Sequence, residues 1–165
     1  AYLSPGGALL ERVELDRDLH FNSIRHLAVG QGGLVGFAMQ WEGDPAEVVP
    51  LLGLHRRGED PALASAPEAE QRVLQGYAGS IAFDRAGGEV AITSPRGGRL
   101  HRFDAGGTFL GAVRRVDACG LAGLRGGFLV TDGGGGVLMA QGAAITPLGL
   151  RARNWDNHVI ALHPA

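Results

Sequence analysis

The chain has 165 residues, enough for a domain with a sizeable core, and its net charge of −2 excludes a global pull towards nucleic acid or anionic membranes. All 15 basic residues are arginine, which excludes Schiff-base chemistry and a phosphate-loop lysine, and the single cysteine excludes an internal disulfide. No apolar run reaches the ~18 residues of a membrane helix; glycine, 28 of 165 residues, exceeds the usual ~7% and falls in turn pairs between apolar runs, as in a packed β protein.

The first segment, Gly6-Gly7-Ala8-Leu9-Leu10-Glu11-Arg12-Val13, parallels a later one, Gly106-Gly107-Thr108-Phe109-Leu110-Gly111-Ala112-Val113. A longer cassette follows. Ile24-Arg25-His26-Leu27-Ala28-Val29 precedes Gly32-Gly33 and the run Leu34 to Ala38. A third apolar run at about 51–56 leads into residues 60–76, where Pro67 to Leu74 predicts a short helix with Pro67 at its first position. The cassette returns as Ser80-Ile81-Ala82-Phe83, Gly87-Gly88 and Glu89 to Thr93, with further turns at Gly97-Gly98 and Gly106-Gly107. It returns again as Gly120-Leu121-Ala122-Gly123, Gly126-Gly127 and Phe128 to Thr131. Gly133 to Gly136 predicts a loose hairpin turn, and a fresh start comes at His158-Val159-Ile160-Ala161-Leu162.

A period of about 40 residues built from apolar run, double-glycine turn and apolar run predicts an all-β fold, a β-propeller with four-stranded WD/YVTN-like blades. The expected organisation is one repeat domain. A partial blade covers 1–15, blades cover about 24–76, 79–116 and 119–150, and a terminal strand covers 158–163. The partial blade would hold third and fourth strands without their first and second. Two closures stay open: four blades closing alone through a shared terminal blade, or half of a ring of about seven blades. The half ring is the expectation adopted here. It would expose apolar faces and pair with a missing N-terminal half or a second copy.

Several stretches resemble one bacterial family: Ser23 to Val29, Phe37 to Pro45, Gly53 to Arg57, Gly76 to Ser80, Thr93 to Gly98, Asp117 to Gly120 and Trp155 to His158. The chain is similar, in order and throughout, to the C-terminal half of members of the domain-of-unknown-function (DUF) family 1513. That resemblance implies a propeller-like protein about twice this length, exported to the periplasm, often encoded beside iron-uptake genes. It implies no reaction.

Propeller ligands gather at the mouth of the central channel, on the loops leading into each blade's innermost strand. Here those positions are Arg25 and His26, Gly79 and Ser80, Cys119 and Gly120, and Asn157 and His158. His26, His158, Cys119 and Asp156 form a candidate set for copper, zinc or iron, because imidazole and thiolate suit those metals. The alternative is structural: histidines bonding loop carbonyls and a cysteine buried as a small hydrophobe. Arg25, Ser80, Arg96, Trp155 and Asn157 are the candidates for contact with an organic ligand or protein partner. No catalytic residue is singled out. The expected function is a non-enzymatic binding scaffold whose propeller face meets a protein or small ligand. Alternatives are a metal-binding or redox propeller and a lactonase-like hydrolase, for which Asp156 is the one obvious acidic candidate. No nucleic acid or membrane span is expected.

Overall fold

A computed structural model describes residues 1–160. It is all-β, with three four-stranded antiparallel sheets and one two-stranded sheet. Strands β1 (Tyr2–Leu3) and β2 (Leu9–Glu11) form the small sheet. The first full sheet runs β3 (Asn22–Val29), β4 (Val35–Trp41), β5 (Leu52–His55) and β6 (Ala62–Ala64). Helix α1 (Glu68–Val73) follows. The second sheet runs β7 (Ser80–Phe83), β8 (Glu89–Ser94), β9 (Arg99–Asp104) and β10 (Phe109–Arg114), and the third β11 (Ala118–Leu124), β12 (Gly127–Asp132), β13 (Gly136–Gln141) and β14 (Ala144–Leu150). In every sheet spatial order equals chain order. These up-and-down meanders are propeller blades, with β3, β7 and β11 innermost and side by side.

Alternation along each strand divides the core in two. Ile81, Phe83, Val90, Ile92 and Phe103 point towards the first blade and join Leu52, Leu54 and Leu74. Ala82, Ala91 and Leu100 point the other way and join Leu121, Phe128 and Val130. Close approach needs glycine between the blades: a Cβ on Gly36 would lie 2.9 Å from Ile81 Cδ1, and one on Gly123 would lie 1.9 Å from the Phe83 carbonyl oxygen.

The turns are tied by aspartates. Asp84 accepts from the N–H groups of Ala86 and Glu89, Asp104 from Gly106 and Thr108, and Asp132 from Gly134 and Gly136. The run Gly133 to Gly136 is therefore not a loose loop. It wraps a nearly buried Asp132 that also pairs with Arg115. Pro67 sits at the N-cap of α1 and not at its first helical position. Of the expected terminal strand, residues 158–160 join no sheet, and 161–163 lie outside the described residues.

Candidate binding site at the channel mouth

Two of the three innermost strands are irregular at the residues of interest. In β3, Ile24 pairs with Met39 and His26 with Ala38, so Arg25 is an extra, unpaired residue. In β11, Ala118 pairs with Asp132 but Leu121 with Val130, so an extra residue falls at Cys119–Gly120. Such bulges re-aim side chains and recur at functional sites. Asp117, just before β11, has φ +54°, a left-handed conformation that is uncommon outside glycine.

The segment Trp155 to Val159 lies across these positions. The His26 and His158 rings stand 5.1 Å apart between centroids. The Asn157 amide donates to the Tyr77 hydroxyl at 3.2 Å, and the Arg96 guanidinium lies 4.5 Å over the Tyr77 ring. Gly120 lets the segment in: a Cβ there would lie 2.4 Å from Val159 Cγ2 and 3.0 Å from the Asp156 carbonyl oxygen. Gly79 is similarly confined by Asn157, Pro95 and Tyr77.

Electrostatics separate the candidates. Burial, the neighbouring His158 and Arg25 hold His26 below the usual imidazole range, against the opposing pull of Asp156. His26 is thus a neutral acceptor or ligand near neutral pH. Arg25 turns to an exposed ion pair with Glu42. Burial pushes the Cys119 thiol up, against hydrogen bonds from the Thr131 hydroxyl and the Gly120 N–H, while Asp117 and Asp132 add to the rise. Its S–H lies between the carbonyl oxygens of Thr131 and Trp155, each 3.4 Å away.

Cys119 is therefore a buried, protonated brace for the crossing segment, and the expected four-residue set of His26, His158, Cys119 and Asp156 does not assemble as one ligand sphere. Among the described residues, no group of three or more His, Cys, Asp or Glu side chains is arranged to hold a metal ion. Ser80 is buried opposite Thr93 in the β7–β8 ladder, apart from the cluster. The Trp155 indole N–H is buried without a hydrogen-bond partner among the described residues. Tyr77, the hub of the cluster, was not among the sequence candidates. Its signal was the aromatic in Gly76-Tyr77-Ala78-Gly79, directly before an innermost strand.

The arrangement offers a neutral imidazole beside a second ring, an amide, a phenol and a stacked guanidinium; Arg25 and His26 lie inside β3 and not on the loop leading into it, Tyr77 lies just before β7, and Arg96 lies in the β8–β9 turn. Such a surface makes polar and aromatic contacts.

The fold is shared with solved structures of low sequence identity. Apo AztD from Citrobacter koseri matches with a TM-score of 0.64 at 14% identity, over 90% of this chain and 41% of that one. A chain of a nidogen/laminin complex matches with a TM-score of 0.56 at 18% identity, over 81% of this chain and 51% of that one. The chain thus spans about half or less of the length of either. No curated protein matches it. The family described as "protein of unknown function (DUF1513)" matches residues 1–162, and the chain belongs to that family.

Proposed function

We propose that this chain forms part of a bacterial periplasmic β-propeller acting as a non-enzymatic binding scaffold, with its recognition surface at the channel mouth. The observation that carries this reading is the convergence of His26, Tyr77, Arg96, Asn157 and His158, from four separate parts of the chain, under one crossing segment. The ring-completing partner is a missing N-terminal half or a second copy. The compartment and a link to iron acquisition rest on family resemblance and belong to the same proposal.

A second reading keeps His26 and His158 as a two-imidazole metal site for copper, zinc or iron. The ring proximity and the lowered pKa of His26 favour it. The hydrolase alternative needs several carboxylate or histidine ligands converging, and among the described residues no group of three or more His, Cys, Asp or Glu side chains is arranged to hold a metal ion.

Native mass spectrometry of the chain isolated from a bacterial periplasm tests the scaffold. A bound protein or small molecule should be retained by wild type and by Leu148→Ser, far from the mouth, and lost from His26→Ala/Asn157→Ala. Equal retention by all three, or no retained species, overturns the reading. Metal content of the same samples decides the second reading: near-stoichiometric metal must vanish in His26→Ala/His158→Ala.

A further inference from the structure

A neighbouring cleft of about 360 Å³ lies between the β4–β5 connection and the C-terminal end of α1, lined by Trp41, Pro45, Glu47, Arg72, Gln75 and Arg96. It continues into a narrower recess of about 170 Å³ whose floor includes Val48, Val49 and the buried Leu51. These volumes suit a small organic molecule.

The walls are held rigidly. The buried Gln71 donates to the Val49 carbonyl and accepts from the Ala66 N–H, tying helix to connection. Asp44 folds the connection through the Ala46 N–H, and the Trp41 indole N–H donates to the Asp44 carbonyl. The indole N–H is thus used up, while Trp41, half-buried, still lines the cleft. Gln75, at φ +54°, is held left-handed and donates to the Arg96 carbonyl.

The charges lining the cleft are not alike. Arg72 is committed to Glu68 and to the Ala46 carbonyl. Glu47 and Arg96 form no ion pair, with each other or with any other group, among the described residues. One carboxylate and one guanidinium, both exposed, therefore line a single cleft with an aromatic wall and a recess of mixed character, where Val48, Val49 and Leu51 sit beside Gln71 and Arg72.

We infer that this cleft binds a small zwitterion, a free α-amino acid. Its carboxylate meets Arg96, its ammonium meets Glu47, and its side chain enters the recess past Trp41. The inference shares Arg96 with the mouth cluster but needs neither His26 nor Asn157.

The chain has two tryptophans, so in Trp155→Phe the emission of Trp41 alone reports the cleft. The probes are L-leucine and L-phenylalanine, with 4-methylpentanoate and isoamylamine as one-charge analogues of leucine. At least one amino acid should give a saturable change, and each analogue should bind at least about tenfold more weakly than the amino acid. Arg96→Gln should bring leucine down to the level of the amine, and Glu47→Gln to that of the acid. His26→Ala/Asn157→Ala should leave the titration unchanged. No saturable change with either amino acid up to about 10 mM, a range that covers the weakest specific affinities, overturns the inference. So does equal binding of leucine and its one-charge analogues.

Discussion

The second blade and the first share a strand pattern but meet different neighbours. Ile81 and Phe83 on β7 are 7% and 8% exposed, while Leu27 and Val29, which align with them on β3, are 68% and 74% exposed. The second blade is covered on both faces by the first and third. The outer side of β3 faces an apolar cleft against β1, where Tyr2 donates its hydroxyl proton to His55 Nδ1 while His55 Nε2–H donates to the Glu59 carbonyl. One sequence pattern thus gives core or surface according to the sheet beside it. Blade stability is a property of neighbours.

The sharpest way to break the comparison is truncation on each side. Phe103→Ala, in the enclosed blade, should cost about 3–5 kcal/mol, whereas Leu27→Ala should stay within about 0.5 kcal/mol. Urea unfolding followed by far-ultraviolet circular dichroism measures both. Equal losses would contradict the account.

Acid probes the enclosed blade next. His101 is fully buried beside Phe103 and Phe109, its ring nitrogens lack hydrogen-bond partners among the described residues, and Nε2 is 3.5 Å from Glu70. Burial pulls its pKa down to about 4, against the attraction of Glu70, with Arg99 adding to the fall. The unfolded chain therefore binds more protons between pH 6.5 and 4. Stability should fall as pH drops through that window, by up to about 3 kcal/mol. Stability curves of His101→Leu should lose that slope.

A smaller loss, about 1–2 kcal/mol, is expected from Asp132→Asn. Burial raises the Asp132 pKa, but the Gly136 and Gly134 N–H groups and Arg115 outweigh it and hold the carboxyl below its usual range. Its contribution is present above about pH 3.8 and lost as pH falls through the lower folded value. Unfolding midpoints of wild type and variant should converge in that acid range. The smallest effect, at most about 1 kcal/mol, is expected from Asn157→Ala, which removes an amide–phenol bond at a partly exposed position. Its readout is local: Trp155 fluorescence should shift while the urea midpoint hardly moves.

The propeller was legible because alternation and paired glycines act locally. In the pairs at 87–88, 97–98 and 106–107, one glycine of each takes positive φ: Gly87, Gly98 and Gly107. The aspartates that tie the turns were not among the sequence expectations, although Asp84, Asp104 and Asp132 each stand shortly before a glycine run. The candidate site was legible in part. Strand starts pointed to His26, Asn157 and His158, but not to the bulges that place Arg25 outside the ladder and Cys119 under Trp155. Bulges depend on register with a partner strand, which one strand's residues do not encode. The Tyr2–His55 contact spans 53 residues and has no local signal. His101 had one: it shares alternation with Phe103, which puts an imidazole in the core.

The central claim is that the segment from Trp155 to Val159 closes over the innermost strands and builds the mouth cluster. Cys119, the single thiol, lies beneath it and reports closure through its rate of alkylation by iodoacetamide under native conditions. Wild type should react slowly, and Asn157→Ala/Val159→Gly at least about tenfold faster with circular dichroism unchanged, as expected when a local opening becomes easier. A wild-type rate equal to that of an unfolded peptide, or a rate unaltered by the double substitution, would contradict it.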